Sequence, residues 1–432
     1  MVKTGKIFYG WVVVAISALV FALVRGVNDA FGVFFVAILE EFGWSRAAVA
    51  GVFSCARLTE GAISVAVGML SDRFGLRRLV PISACLVALG LILASYTQSL
   101  WMLYVAYGLV FAVGYCGVGE LSHVPVISRW FVRKCGMAIG LAMAGMGLGI
   151  LLVVPLAQTF ILYFGWRWAY LALAAVMLIG IIPPTLLWQR ERPEDLGLLP
   201  DGEQRPPPPP VRASAAHMAS SHAPPTPQEW TLRAALGSTA LWMLFVVRIL
   251  TPLGMMMVVP HHVVYLVGQG FDRLVAAFAF GSLGAFSFAG RILFGWLSDR
   301  LGTVQSMMLS YSISIVGTFL LLSLRDPAHT WLLWCHIVVY GIGFGARGPL
   351  TSALVTQMFH GRNWGAILGF LEIGSGLGGT IGPWLSGFLF DRTGSYNLSF
   401  SLSMVLLGLA IVCAWLAGRQ WRAEARSRRC GN

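Results

Sequence analysis

Ionisable residues that interrupt long apolar runs are where this chain can do chemistry. Arg25 and Asp29 stand four apart and Arg57 and Glu60 three apart, so each pair shares one face of a helix and can neutralise itself. Glu120 and His123 lie three apart, just before Val124-Pro125. Arg248, Arg291 and Arg347 have no acid within four residues, and Glu372 stands alone. A guanidinium keeps its charge and offers a planar fork of donors to a carboxylate. A carboxyl group or imidazole beside it can take up and release a proton. The chemistry on offer is therefore anion binding with proton exchange. Bond-making enzymology has no footing: there is no HExxH and no Walker-type loop, and a GxSxG nucleophile needs a strand-to-helix elbow that the chain lacks. Gly374 to Gly379 spells GxGxxG, but inside an apolar run with no strand before it. The seven cysteines are scattered without a CxxC pair, so neither a metal nor a cofactor is called for.

The elements that hold these residues must be membrane helices. The 432 residues are 57% hydrophobic and 11% charged, against roughly 25% charged in an average soluble domain. Apolar stretches of about 20 residues, the length that spans a bilayer, recur along the chain. Twelve spans are expected, at 10–38, 46–70, 79–96, 101–127, 135–162, 167–188, 238–266, 274–297, 304–324, 331–356, 364–389 and 396–418. Lys3 and Lys6 precede a run too long for a cleavable signal, which reads as a first span that stays. The fold class is an all-α polytopic membrane protein. An ion at mid-bilayer costs at least about 2.5–3.5 kcal/mol, so the charges within spans must face a cavity or one another. His261 and His262 fall near the outer end of span 7, which suggests a place on its rim.

The net charge of +12 is unevenly placed. With both termini inside, most Lys and Arg fall on cytoplasmic segments, and only Arg46, Arg167, Arg273, Arg325 and Arg392 fall on outer loops. This is the positive-inside pattern of a multi-pass plasma-membrane protein of the bacterial inner-membrane type. The arginines after Arg419 read as a topology and lipid-headgroup signal, not as a nucleic-acid arm.

Residues 189–236 break the apolar pattern with Glu191, Glu194, Asp195, Asp201 and Glu203, followed by Pro206 to Pro210. Such a segment cannot bury enough apolar surface to order itself, and its proline run favours an extended, semi-rigid form. It reads as a cytoplasmic linker between a half at 1–188 and a half at 237–418, with a basic tail at 419–432. GMLSDRFGLRR at 68–78 returns as GWLSDRLG at 295–302. Gly68, Leu70, Ser71, Asp72, Arg73 and Gly75 thereby align with Gly295, Leu297, Ser298, Asp299, Arg300 and Gly302, and Gly43, Trp44 and Arg46 with Gly270, Phe271 and Arg273. Parallel duplicated halves of this kind mark a transporter architecture whose site lies between the halves near the midplane. The short charged loop puts a carboxylate and guanidinia at helix ends, where they can lock the inner surface shut.

The pattern GxxxDRxGxRR, filled by Gly68, Asp72, Arg73, Gly75, Arg77 and Arg78, resembles the loop 2–3 signature of the major facilitator superfamily. Asp299 and Arg300 resemble its echo in loop 8–9. YGWVVV at 9–14, FGWS at 42–45, RWFVRKCGMAIGLAMAGMGLG at 129–149, GRNWGAILGF at 361–370 and DRTGSY at 391–396 are similar to the monocarboxylate transporter family and its bacterial oxalate–formate relatives. The resemblance implies twelve helices in two pseudo-symmetric six-helix halves that rock about a central site. Within that fold Gly136, Gly140, Ala144, Gly145 and Gly149 read as packing that slides during transport.

The resemblance also implies a role for Arg291, two turns before the loop 8–9 motif: it matches the span 8 arginine that holds the substrate carboxylate. A structural ion pair is the alternative. Arg347 would be a second anchor, favouring a second acidic group or a larger anion. Arg57, Asp29, Glu120 and His123 would complete the pocket from the N-terminal half. The chain departs from many animal members, having Ser287 in place of an aspartate and Asp29, not a lysine, before Val33-Phe34-Phe35. Proton coupling is accordingly expected at Asp29, Glu120 or Glu372. The expected function is transport of a small organic anion, first of all a monocarboxylate, by a functional monomer in the lipid bilayer. Proton symport is the leading mode. Exchange of the oxalate–formate type, or carriage of a vitamin, an amino acid derivative or a drug, are the alternatives.

Overall fold

Backbone N–H and C=O groups in lipid have no water to bond, so a spanning segment must close its hydrogen bonds within itself. The computed structural model describes residues 8–132, 134–202, 232–359 and 364–430, and among these every regular element is helical. Lys3, Lys6, Arg133, Glu203, Arg205, Pro206 to Pro210, Arg212 and Arg362 lie outside the described residues, as do the side chain of Asp72 and those beyond Trp421.

Nine helical stretches among the described residues are long and apolar enough to cross a membrane. They are Gly10–Phe42 (span 1), Leu76–Ser95 (span 3), Leu100–Trp130 (span 4), Cys135–Phe164 (span 5), Trp166–Leu187 (span 6), Thr239–Met256 (span 7), Arg273–Leu301 (span 8), Thr303–Ser323 (span 9) and Asn397–Trp421 (span 12). Span 2 (Arg46–Phe74), span 10 (Thr330–Gly345 with Arg347–Met358) and span 11 (Trp364–Thr393) complete the twelve expected from the sequence. The helix of span 12 runs on to Cys430, so the basic tail continues that helix.

The spans that begin each group of three are irregular. Span 1 is perturbed only slightly, at Ala30, which keeps helical φ and ψ of −63° and −13°. Span 4 passes through a π-helical stretch, Tyr104–Phe111, and breaks at the extended Gly119. Span 7 stops at Met256 and resumes as His262–Gly268, and span 10 is perturbed only slightly, at Ala346, which keeps helical φ and ψ of −73° and −21°. Each irregularity falls beside a charged or ionisable residue: Asp29, Glu120, His261 and His262, and Arg347. Irregular backbone at membrane depth is tolerated where it lines a cavity or is buried in protein. The two halves also share their turns. Gly43 and its counterpart Gly270 have φ of 64° and 88°, and Gly75 and Gly302 have 75° and 88°, left-handed values that favour glycine at the ends of equivalent spans.

The halves meet along two seams, span 2 against span 11 and span 5 against span 8. The seams are closed at the face carrying Gly43 and Gly270 (here the far face) and splayed at the face carrying Gly75 and Gly302 (the motif face). At the far end Asp391 accepts the N–H groups of Arg46 and Ala47 at 2.9 and 2.8 Å, Arg273 pairs with Glu40 at 2.7 Å, and Trp384 N–H bonds Ser54 Oγ at 3.2 Å. Midway, Gly147 and Gly284 bring the backbones of spans 5 and 8 together. Toward the motif face, a methyl added at Gly61, Gly68, Gly136, Gly140 or Gly295 would meet nothing within 4 Å. The space between the halves therefore opens toward the motif face.

His261 and His262 do not sit on a rim; both are fully buried. His261 Nε2 bonds Pro383 O and its Nδ1 bonds Tyr396 Oη, each at 2.9 Å. His262 Nε2 lies 2.9 Å from His336 Nε2, and His336 Nδ1 donates to Gly317 O at 2.7 Å. The interruption in span 7 frees backbone there, and the two imidazoles tie it to spans 9 to 12. Lipid-facing surfaces keep exposed apolar side chains such as Ile82, Leu152, Ile179, Phe319 and Val405, with Trp101, Tyr163, Trp168 and Trp331 near the far helix ends, as an interfacial belt requires.

Candidate functional site

The splayed seams enclose a cavity of about 910 Å³ whose wall includes Arg25, Arg57, Glu120, Arg248, Arg291, Arg347 and Glu372 among apolar residues such as Met143, Met146, Phe288 and Phe344. Nearly every charge that interrupts a span thus arrives at one place, as the insertion cost demanded.

On the N-terminal side the charges form a chain. Arg25 Nε donates to Asp29 Oδ2 at 2.8 Å, Asn28 Nδ2 donates to Asp29 Oδ1 at 2.8 Å, and Arg57 Nη2 donates to Asn28 Oδ1 at 2.7 Å. Arg57 Nη1 then pairs with Glu60 Oε2 at 3.0 Å, and Tyr107 Oη fixes Asn28 through its carbonyl at 3.1 Å. The rings of Phe53 and Tyr115 flank the Arg57 guanidinium at 4.9 and 5.3 Å. Asp29, expected in the pocket, does not line the cavity; it lies buried behind Arg25, held by two donors. His123, also expected there, is fully buried and bonds Ser17 Oγ at 3.0 Å. His123 is held against Ser17 of span 1 and is not part of the cavity wall. Glu120 itself is exposed on the cavity wall, the first residue after the break at Gly119.

On the C-terminal side Arg248 of span 7 makes an ion pair with Glu372 of span 11. Arg291 of span 8 donates Nη1 to Met143 O across the seam at 3.3 Å, and Arg347 of span 10 donates Nε to Phe344 O at 3.1 Å with its guanidinium 4.0 Å from that ring. Among the described residues neither has an ion-pair partner. Two guanidinia with unspent donors facing one chamber can grip an anion in a bidentate way. Sequence reasoning missed Asn28, and left Arg25 off the pocket wall. Arg25 carried a signal in its place one turn before Asp29, whereas a lone Asn in an apolar helix gave none.

The motif residues sit at the other end of the space. Arg77 Nη2 donates to Leu186 O at 2.7 Å and its N–H to Glu191 Oε1 at 3.0 Å, so Arg77 is engaged within its own half. Arg73 and Arg78 are exposed, Asp299 is exposed, and Arg300 lies 4.3 Å over the Trp296 ring. Gly374 and Gly378, from the GxGxxG stretch, press span 11 onto the backbone of span 7 at Phe245 and Ile249, which is a packing role.

A family model described as Major Facilitator Superfamily matches residues 14–348 and 328–429. Among curated proteins, monocarboxylate transporter 13 of Bos taurus is 30% identical over 402 residues, covering 92% of this chain and 87% of the bovine protein. Monocarboxylate transporter 11 of Homo sapiens is 29% identical, covering 92% and 81%. The MFS-type transporter YcxA of Bacillus subtilis is 25% identical, covering 92% and 93%. Among solved structures, a bacterial homologue of the human lysosomal transporter Spinster, inward-facing and unoccupied, superposes with a TM-score of 0.70 at 15% identity, over 97% of this chain and 99% of that one. The nucleoside transporter NupG gives 0.69 at 15%, over 95% and 99%. All are membrane transporters, and none is an enzyme.

Proposed function

Because the chain belongs to the Major Facilitator Superfamily, we propose that it is a secondary transporter that moves a small organic anion by alternating access, with Arg291 as the anchor for a carboxylate. One observation carries this: Arg291 reaches the central cavity and, among the described residues, makes no ion pair there. An unpaired guanidinium in a membrane interior is retained when a transient anion supplies the missing charge. Monocarboxylates are the first candidates, as the names of the curated relatives suggest.

The motif face is cytoplasmic on the positive-inside rule, which makes the present arrangement inward-open and puts both termini and the 189–236 linker inside the cell. Gly68, Asp72, Arg73, Gly75, Arg77, Arg78, Asp299 and Arg300 then act when that face closes. The carrier works as a monomer in the plasma membrane. Proton symport is the leading mode, with Glu120 as the proton site. Asp29 and Glu372 are weaker candidates because each is committed to an arginine. Anion exchange is favoured by a separate observation, the excess of cations on the wall, which would hinder an empty carrier from closing.

Uptake of labelled lactate or pyruvate into proteoliposomes separates these. Symport gives accumulation driven by a pH gradient alone. Exchange gives uptake that requires anion on the other side. A thermal-shift panel that finds stabilisation by neutral amides and none by carboxylates would refute the anion assignment.

A further inference from the structure

The charge on the cavity wall sets how much charge the cargo must bring. Three wall cations are already matched: Arg25 by Asp29 at 2.8 Å, Arg57 by Glu60 at 3.0 Å, and Arg248 by Glu372. Arg291, Arg347 and Glu120 remain, and none has an ion-pair partner among the described residues. Each arginine spends one N–H on a carbonyl, at Met143 and at Phe344, which leaves most of both guanidinium forks for a ligand. Both leave one seam. Spans 8 and 10 touch backbone to backbone where Gly290 meets Ile342 and Gly345 meets Ser287. Arg291 follows the first contact by one residue, and Arg347 follows the second by two.

A closed cavity is a low-dielectric space in which an uncompensated ion costs several kcal/mol, so the loaded site is stable when its charges cancel. With Glu120 ionised, the unmatched groups carry one positive charge, and a monoanion cancels it without a proton. With Glu120 protonated they carry two, and a monoanion leaves one uncompensated. A dianion cancels the charge of both guanidinia and makes protonation a condition of loading. Resting on the readings that Arg291 holds a carboxylate and that Glu120 takes up the proton, we propose that the cargo is a small organic dianion in place of a monocarboxylate, two carboxylates on a short linker, held between Arg291 and Arg347 and carried with one proton on Glu120. Apolar side chains of Met143, Met146 and Phe288 face the linker.

The charged groups that face Glu120 are Arg25 of span 1, Arg291 of span 8 and Glu372 of span 11, with Arg57, Arg248 and Arg347 elsewhere on the same cavity wall. Span 5 contributes only apolar side chains and glycine to the wall, and His123 on Glu120's own span is taken up by Ser17. Cations beside Glu120 favour its ionised form, so the proton enters when the cargo's charge screens them and leaves as they lose their anion. A dianion and one proton move one net negative charge per cycle, so transport is electrogenic.

The test compares labelled succinate with succinamate, the same skeleton with one carboxylate replaced by an amide, entering proteoliposomes under a pH gradient. Succinate should enter at least about tenfold faster, the discrimination expected when one charge-assisted contact is lost. An inside-positive potential, set with valinomycin and potassium, should speed it further. Arg347→Gln should narrow the ratio to under about twofold because the second fork is gone. Should that variant carry neither, Arg347→Lys decides: a kept preference for succinate supports the proposal, and equal entry overturns it. Equal entry of both in the native carrier also overturns it, as does an unchanged ratio in Arg347→Gln. In either case Arg291→Gln separates the levels. If it abolishes entry of both solutes, only the dianion is lost; if both still enter, the carboxylate anchor itself is wrong.

Discussion

Asp391, at the end of span 11, caps the first turn of span 2 in the other half: its carboxylate accepts Arg46 N–H at 2.9 Å and Ala47 N–H at 2.8 Å. The Arg46 guanidinium lies 3.7 Å over the neighbouring Phe390 ring. One side chain thus supplies the orphan donors of a helix terminus and ties the halves together where the cavity is closed. Asp391→Ala removes about 1–2 kcal/mol of capping, a shift of roughly 5–30-fold toward the far-open state. A cysteine replacing buried Ala50, with the native cysteines removed, should react faster with an impermeant thiol reagent in that variant. An unchanged rate would show that the cap does not hold the gate.

The contact between Gly147 and Gly284 leaves no room for a side chain. A methyl on Gly284 would sit 2.5 Å from Gly147 O, whereas one on Gly295 of the same helix would meet nothing within 4 Å. Gly284→Ala should cost about 1–3 kcal/mol as overpacking and lower the melting temperature in detergent, with Gly295→Ala near the native value. Equal melting of the two would mean that spans 5 and 8 part more easily than their packing indicates.

Asn28 joins two ion pairs that otherwise belong to separate helices. Asn28→Leu, at a buried position, strips Asp29 of one donor and Arg57 of one acceptor, a loss of about 1–3 kcal/mol for each unsatisfied polar group. Asn28→Gln offers the same groups one methylene away and should recover part of the loss. The readout is thermal unfolding, and a Leu variant as stable as the native protein would show that water replaces the amide.

Glu120→Gln fixes this group in a neutral form. If Glu120 carries the proton, acidifying the uptake side accelerates native transport and no longer accelerates the variant, while counterflow of labelled anion persists. A variant that still accumulates anion under a pH gradient would move the proton to Asp29 or Glu372.

The fold was legible because its signals are local. Apolar length marks spans, the Gly68–Gly75 and Gly295–Gly302 copies mark the halves, and cations mark one face. The site was legible in part. An i,i+4 relation exposes Arg25 with Asp29, but Arg248 finds Glu372 across two helices, a pairing no spacing within either helix encodes. The break at Gly119 gave no warning, since many glycines in these spans stay helical. His261 and His262 looked peripheral because a continuous span 7 would end near them, whereas the interrupted one folds them under its own cap.

Arg291 bears most of the functional weight, and its guanidinium can be challenged without removing its charge. Labelled carboxylate uptake should be measured for Arg291→Lys and Arg291→Gln in proteoliposomes loaded to equal protein, with folding checked by thermal unfolding. Lysine keeps the cation but not the planar fork, so uptake should fall by about tenfold or more, one charge-assisted hydrogen bond, and glutamine should abolish it. Native rates in both folded variants would contradict carboxylate binding at Arg291.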